Sequence, residues 1–443
     1  MAQLLNQPKP LATSPLKLSP PLGAAMAFMG LDGSLPLFHG SQGCTAFALV
    51  MMVRHFREAI PLQTTAMSEV STILGGMENV EEALVNIARR ARPKVIGLIS
   101  TALAETRGED IAGDLKLILA RNKDLAGTRV VFVSAPDFEG SLEAGWAKAV
   151  TALVDGLAEP APARREPLPR IALLPGVHLT PGDVDHLKDM VEAFGLEAVA
   201  LPDLSTSLDG QVPETYVPTT LGGTTPDEIR SLGRCRLAVA VGEHMRPAAE
   251  ALHAKTGVPT VLFDRLCGLE AVDRLMVTLS TAAGCPVPPK LRRARGQLVD
   301  AMLDGHFFFG GRAVAVAGEP DFLWSMGHLV TEMGGRLAAA ASPVAAPHLA
   351  ELPCEQVVVG DFDDLEDQML EAGRIDLVIA NANARQLCRR YGTTLFRSGF
   401  PIFDRLGAAH QTTIGYRGTR DLIFQLGNLL MEGHGHDSTA APG

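Results

Sequence analysis

The chain has 443 residues, of which 47% are hydrophobic, and a formal net charge of −11. This length allows roughly two to four domains with buried cores, and the negative charge argues against a surface for nucleic acid or an anionic membrane. The six cysteines include no CxxC motif and no close pair. This spacing argues against a disulfide framework or a self-contained zinc site, and it indicates a reducing cytoplasm.

Residues 1–22 contain five prolines between positions 8 and 21. Because proline cannot continue a helix, and because this segment lacks the continuous apolar core of a signal peptide, we expect an extended arm that could lie on a neighbouring subunit. No apolar run in the chain approaches the ~20 residues of a membrane-spanning helix.

The segment GSQGCT (40–45) carries the most chemical information. Its glycines allow the backbone to approach inorganic sulfide closely, and the apolar spacing of Phe47, Val50 and Met51 predicts a helix directly after Cys44. The partial positive charge at a helix N-terminus lowers a thiol pKa and favours the thiolate that binds iron.

A cluster on Cys44 would have to be shared with another chain. A [4Fe–4S] cluster takes four protein ligands, usually thiolates, whereas the next cysteine in the sequence is Cys235. The alternative is a small buried core cysteine in a turn between a strand and a helix.

Short apolar strands alternate with helix-length segments along the chain, which predicts an α/β fold of three Rossmann-like domains with mostly parallel sheets flanked by helices. The predicted domains are 23–165, which includes Cys44, 166–295 and 296–432, followed by a flexible tail at 433–443. A linker rich in proline and charge (158–169) separates the first two domains. An alanine-rich segment (328–341) is predicted to be a helix of the third domain.

Several polar residues follow predicted strands, where ligands of α/β sheets gather. Glu243 and His244 could bind a polar ligand, and Glu105, Glu109 and Asp110 could serve as acid or base. Loop and helix-cap chemistry explains the same residue types. No GxGxxG or GxxxxGK[ST] motif follows any predicted strand.

Three sets of segments together resemble the β-type subunits of the nitrogenase superfamily. The first set is GSQGC (40–44), RHFRE (54–58) and STALAE (100–105), the second is GLEA (268–271) and GEPDF (318–322), and the third is GFPIFDR (399–405) and GYRGT (415–419). The order and combination of these segments, across nearly the whole chain after the arm, make the resemblance specific.

The departures from the nitrogenase β pattern concern the metal ligands. The resemblance implies three cysteines for an eight-iron cluster in a catalytic β chain, of which only Cys44 is present. Leu62 and Ala102 occupy the other two positions, and Asp137 stands where nitrogenase β has a serine. One thiolate cannot hold an eight-iron cluster, but it can complete a four-iron cluster.

This pattern implies the β-like subunit of the scaffold on which the nitrogenase iron–molybdenum cofactor matures, rather than a stand-alone enzyme. In that scheme Cys44 and three cysteines of the sister chain NifE share a [4Fe–4S] cluster, and two such pairs form a heterotetramer. Fe protein (NifH) docks there for molybdenum and homocitrate insertion and for electron transfer. The cofactor precursor is bound mainly by NifE, and nitrogenase or cofactor carriers are transient partners.

Two alternatives stay open at this point. The first is a catalytic β-type subunit of a nitrogenase-like reductase, such as nitrogenase β or the dark-operative protochlorophyllide reductase. The missing thiolates at Leu62 and Ala102 count against nitrogenase β. The second is an α/β ligand-binding protein without metal, in which Cys44 is an inert core residue.

Overall fold

The computed structural model describes residues 1–6, 14–161, 168–210 and 213–435. Parts of the predicted arm and linker, and tail residues 436–443, lie outside these ranges. Within them, no helix is both long and apolar enough to cross a membrane.

Fourteen strands lie in the described part of the chain, and they pair in parallel. They are Gln3–Asn6 (β1), Ser34–His39 (β2), Gln63–Thr64 (β3), Val95–Ser100 (β4), Arg129–Val133 (β5), Arg170–Leu174 (β6), Glu197–Ala200 (β7), Leu237–Val241 (β8), Thr260–Phe263 (β9), Ala313–Ala317 (β10), Arg336–Ser342 (β11), Gln356–Val359 (β12), Leu377–Ala380 (β13) and Thr394–Arg397 (β14).

Sixteen α-helices of the described residues connect and cover these strands. They are Pro20–Met29 (α1), Gln42–Phe56 (α2), Glu69–Leu74 (α3), Met77–Arg90 (α4), Ala102–Glu105 (α5), Ile111–Arg121 (α6), Leu142–Leu157 (α7), Pro181–Glu192 (α8), Pro226–Arg230 (α9), Arg246–Thr256 (α10), Leu269–Ala283 (α11), Pro289–Phe309 (α12), Pro320–Glu332 (α13), Phe362–Ala372 (α14), Arg385–Tyr391 (α15) and Gly415–Gly435 (α16).

The strands form three sheets. Their orders are β3-β2-β4-β5, β7-β6-β8-β9 and β1-β12-β11-β10-β13-β14. Helices supply the crossovers between parallel neighbours, as parallel pairing requires. The architecture is therefore the predicted α/β fold with three parallel-sheet units.

Helices α1 and α7 pack with their backbones in contact and hold the first two sheets together. A Cβ atom at Gly23 would lie 2.0 Å from the carbonyl oxygen of Leu142, and one at Gly145 would lie 1.8 Å from that of Pro20. Trp146 is buried on α7 and donates from Nε1 to the carbonyl of Pro175, after β6, at 3.0 Å. Glycine is required at both positions because a larger side chain would separate the helices.

The N-terminal segment differs in two ways from the predicted extended arm. Residues 3–6 pair with β12 as an edge strand of the third sheet of the same chain. Helix α1 begins at Pro20, inside the segment predicted to be extended. Proline is tolerated in the first turn of a helix, where its missing N–H has no intrahelical partner to lose.

Two other predictions about elements are wrong. The alanine-rich segment 328–341 is the end of α13 followed by β11, a strand between β10 and β12 whose alanines fill a sheet covered on both faces. Helix α16 extends to Gly435, so the first residues of the predicted flexible tail are helical.

Candidate functional site

Cys44 lies in the first turn of α2, at the carboxyl end of β2. Strand β2 ends at His39, Gly40 and Ser41 form the turn, and α2 begins at Gln42, so Cys44 is the third residue of the helix rather than the residue before it. A Cβ atom at Gly40 would lie 2.3 Å from Oγ1 of Thr101, which donates to the His39 carbonyl at 2.9 Å. This close approach of the turn to the end of β4 requires glycine.

The thiol of Cys44 is exposed, whereas the other five cysteines are buried or partly buried. Its Sγ lies 3.5 Å from Oγ of Ser41, the residue that precedes the helix. The exposure contradicts the alternative of a buried core cysteine. The position near the helix N-terminus gives a thiolate favourable electrostatics.

The two positions where the resemblance implies additional cysteines offer no metal ligand. Leu62 is buried in the core beside α2, and Ala102 begins α5 after β4. Asp137 accepts a hydrogen bond from the backbone of Ala102, and burial raises its pKa. In the described ranges, Cys44 belongs to no group of three or more side chains that could hold a metal. The fold of this chain alone therefore fits a single shared ligand.

Helix α2 presents an apolar surface beside Cys44. Phe47 is 63% exposed, Val50 51% and Val53 42%, and these residues recur at helical spacing from the cysteine. A contiguous row of exposed large apolar residues marks a surface that another molecule covers. We call Phe47, Val50 and Val53 the α2 apolar face.

The segment RHFRE at the end of α2 packs against GFPIFDR. Nδ1 of His55 accepts a hydrogen bond from the Ile402 backbone at 2.9 Å, and the guanidinium carbon of Arg54 lies 4.6 Å from the ring centroid of Phe403. A charge over an aromatic face is attracted by the quadrupole of the ring. Segments from the two ends of the sequence thus meet directly.

GEPDF also contacts GFPIFDR. A Cβ atom at Gly399 would lie 3.6 Å from the Phe322 ring, and one at Gly318 would lie 2.3 Å from it. Farther along, the backbone N–H of Gly268 donates to Oγ1 of Thr419 at 3.1 Å, which joins GLEA to GYRGT. The segments that carry the resemblance therefore form connected contacts.

The acidic residues after β4 have structural partners. Glu105 accepts from Ser134 at 2.6 Å. Glu109 pairs with Arg107 at 2.9 Å and accepts from the Gly76 backbone at 3.0 Å. Asp110 caps α6 through the Gly113 backbone. Asp110 therefore matches the capping interpretation, whereas Glu105 and Glu109 are held by other hydrogen bonds and an ion pair.

A second cluster of polar side chains is buried where the three units meet. Glu143 at the start of α7, His178 after β6, His244 after β8 and Asp321 in the first turn of α13 each place one potential ligand atom within 4.8 Å of the others. We call these four residues the buried acid–histidine centre. The sequence identified only His244, as a possible polar ligand after a strand, because the other three are distant in the chain and belong to no motif.

Burial and charge set the protonation of this centre. Burial and the nearby charge of Asp321 raise the pKa of Glu143 well above its usual range. Burial acts in the same direction on Asp321, but the hydrogen bond and charge of His244 outweigh it and hold the pKa well below its usual range. Burial raises the pKa of the neighbouring Glu319 to about 7 and lowers that of His178 to about 4. Glu143 therefore retains its proton and Asp321 is ionised, while the imidazole of His178 stays neutral.

An open groove adjoins the buried acid–histidine centre. Its volume is 1340 Å³, and Glu143, His244, Trp324 and His348 are among the residues that line it. A groove of this size between structural units is typical of ligand sites.

Comparison with known proteins identifies the family. A family model described as "Nitrogenase component 1 type Oxidoreductase" matches residues 19–431. In the solved structure "Nitrogenase Cp1 at pH 6.5", one chain superposes with a TM-score of 0.89 at 28% identity, over 96% of this chain and 94% of that one. A chain of "Nitrogenase Cp1 at pH 5" superposes with a TM-score of 0.73 at 14% identity, over 100% and 93% of the two chains, which shows the shared fold. The chain belongs to the nitrogenase component 1 family.

Within this family, the chain is similar over nearly its full length to proteins described as "Nitrogenase iron-molybdenum cofactor biosynthesis protein NifN". It is 53% identical to that of Mesorhizobium japonicum, over 97% of this chain and 93% of the relative. It is 50% identical to that of Rhizobium meliloti, over 97% of each chain, and 38% identical to that of Klebsiella pneumoniae, over 98% and 95%. These similarities confirm the resemblance found in the sequence.

Proposed function

We propose that this chain is a subunit of the scaffold on which the iron–molybdenum cofactor of nitrogenase matures. The observation that carries the proposal is the lone exposed thiol of Cys44, with a buried Leu62 and an Ala102 at the two positions where a catalytic β chain is expected to hold iron. The near full-length similarity to proteins named for cofactor biosynthesis supports it.

In this proposal, Cys44 gives one ligand to a [4Fe–4S] cluster, and NifE gives the other three. Three features of this chain fit that role: an exposed thiol, a position at a helix N-terminus that favours the thiolate, and the adjoining α2 apolar face, which NifE covers. When bound, such a cluster supplies one-electron transfer. This chain holds the thiolate at the interface with NifE, and its apolar side chains exclude water from the cluster.

The remaining partners follow from the same assignment. Two pairs of this chain and NifE form a heterotetramer, and Fe protein (NifH) docks on it for electron transfer and for insertion of molybdenum and homocitrate. The precursor is bound mainly by NifE, and the finished cofactor passes to nitrogenase or to carriers. A second apolar surface, with Leu303 and Phe307 exposed on α12, supports contact between the two pairs.

The proposal is tested by replacing Cys44 with alanine in the complex purified with NifE under anaerobic conditions. We expect a loss of about four iron atoms per pair, since a four-iron cluster needs all its ligands, and activation of cofactor-free nitrogenase at less than about one tenth of the original level. Cys285→Ala is the matched control, because Cys285 is a partly buried cysteine on the second unit.

Unchanged iron content and unchanged nitrogenase activation in Cys44→Ala would contradict the proposal. The same preparation also separates scaffold from enzyme. Dinitrogen reduction by the complex and Fe protein, at a rate comparable to that of nitrogenase, would favour a catalytic subunit instead.

A further inference from the structure

The buried acid–histidine centre brings side chains of all three sheet units to one point. Glu143 follows the first sheet, His178 and His244 follow strands of the second, and Asp321 begins α13 beside the third. Nδ1 of His244 is hydrogen-bonded to Asp321 and lies 3.9 Å from the Glu143 carboxylate. The backbone N–H of Asp321 donates to Glu143 at 3.0 Å.

Four buried polar atoms at or beside this centre have no hydrogen-bond partner within the described ranges. They are Nδ1 of His178, Oδ1 of Asp321, Nε2 of His348 and Oε1 of the adjacent Glu319. A buried polar atom without a partner costs about 1–3 kcal/mol. Such an atom is expected where a ligand completes the site.

Glycines make room for the imidazole rings. A Cβ atom at Gly242 would lie 2.7 Å from Oδ2 of Asp321 and 2.9 Å from Cε1 of His178. One at Gly176 would lie 2.6 Å from Cε1 of His244. Any larger residue at either position would push the donor atoms apart.

The charges at the centre are poorly compensated by the protein. Glu143 and Asp321 are buried, Glu319 is partly buried, and the three carboxyl groups lie in one hydrogen-bonded cluster. Among the described residues, the basic groups that act on this cluster are the imidazoles of His178, His244 and His348 and the ammonium group of Lys17. Burial of uncompensated charge is costly. Either protons or a bound cation must offset these carboxylates.

We infer that Glu143, His178, His244 and Asp321 bind one divalent transition-metal ion of the zinc or ferrous type. Two imidazoles and two carboxylates suit Zn²⁺ and Fe²⁺ better than Mg²⁺ or Ca²⁺, which prefer oxygen ligands alone. Tetrahedral donors at normal bond lengths stand about 3.4 Å apart, so the present spread of at most 4.8 Å closes by a short side-chain movement.

The adjoining groove gives an ion a route to the centre. It opens beside Glu143 and His244, and it also exposes His348, whose Nε2 lies 3.2 Å from Asp321. This site is separate from Cys44 in chemistry and in position along the chain. It does not depend on the proposed function, and Cys44→Ala is expected to leave its metal content unchanged.

The test is equilibrium dialysis of the complex with NifE against Zn²⁺, followed by metal analysis. Both His434 and His436 of the C-terminal segment are first replaced by alanine, because such a pair can bind zinc weakly. We expect one additional zinc ion per chain, and a dissociation constant about 100-fold higher or more in Asp321→Asn and in His178→Gln. His253→Gln is the control, because His253 contacts the Val258 carbonyl away from the centre.

Circular dichroism confirms that each variant is folded, and His178→Gln decides the outcome if Asp321→Asn does not fold. Anomalous diffraction at the zinc edge then locates the ion independently of any variant. Any of three results would overturn the inference. The parent complex binds no more zinc than the variants, both variants bind zinc as tightly as the parent, or the anomalous peak lies away from these four residues.

Discussion

Burial gives the cysteines of this chain two different chemistries. Cys235, Cys267 and Cys388 are buried, and desolvation raises the pKa of each thiol to about 12, so they remain protonated. Cys44 is exposed in the first turn of a helix. Since a metal binds the thiolate, this difference separates the proposed ligand from the inert thiols.

His55 should make the stability of the chain depend on pH. Burial lowers its pKa to about 4, below the usual histidine value of about 6.5, so the unfolded state takes up the proton first as the pH falls. Folding stability is therefore lost below about pH 6.5, by about 2 kcal/mol from this group between about pH 7 and about pH 5.

The substitution His55→Asn tests this prediction, because asparagine keeps an acceptor for the Ile402 N–H and does not titrate. Chemical unfolding at both pH values should show a pH-dependent loss about 2 kcal/mol smaller than in the parent chain. An equal loss in both proteins would show that His55 is already charged, or free to become charged, in the folded state.

The sequence predicted single residues only where a motif surrounds them. Cys44 stands in a glycine-bent turn with a recognisable pattern, so its role as a candidate ligand followed directly. Glu143, His178 and Asp321 could not be grouped from the sequence, because packing of three separate units brings them together. Only the position of His244 after a strand gave a signal.

Helix α2 places the exposed thiol of Cys44 beside the α2 apolar face. The substitution Phe47→Glu places a charge in the α2 apolar face, and we expect it to weaken the pairing with NifE at least tenfold, or about 1.4 kcal/mol, because desolvating the carboxylate opposes association. Binding of the two purified chains can be measured by titration calorimetry.

Leu117→Glu provides the matched control, since Leu117 on α6 is 64% exposed, almost the same as Phe47. Equal affinities for the Phe47→Glu chain and the parent would place the partner on another surface.

The elements that the sequence missed are those in which local composition and tertiary burial disagree. The alanines of β11 favour a helix by propensity, but neighbouring strands and helices on both faces of the sheet fix them in a strand. Pro20 and Pro21 led to the prediction of an extended segment, but they begin α1, a helix whose residues are all buried. The alternation of short apolar strands with helices was predicted correctly, because the apolar runs of the strands are short and bounded by turns.

At the scale of the whole molecule, the segments that carry the family resemblance contact one another across the sheet units. RHFRE, GEPDF and GFPIFDR are far apart in the sequence, yet they pack against one another through His55, Phe322 and Gly399. The resemblance could be recognised across the chain because its segments hold the units together. Domain limits at 165, 295 and 432 stay predictions.

The proposed heterotetramer gives a prediction at the same scale. Phe307 is 82% exposed on α12, and Phe307→Glu should convert heterotetramers into heterodimers without loss of pairing to NifE, because only the contact between pairs gains a buried charge. Light scattering after size exclusion measures the mass, with Leu370→Glu on α14 as the control. A variant that stays tetrameric would exclude α12 from that contact.

The most direct test is to locate iron in the fully loaded complex with NifE by anomalous diffraction at the iron edge. We expect a four-iron cluster with one iron bonded to Sγ of Cys44 and the remaining three bonded to NifE. Iron at that interface with no bond to Cys44, or a Cys44 thiol that contacts no other chain, would contradict this expectation.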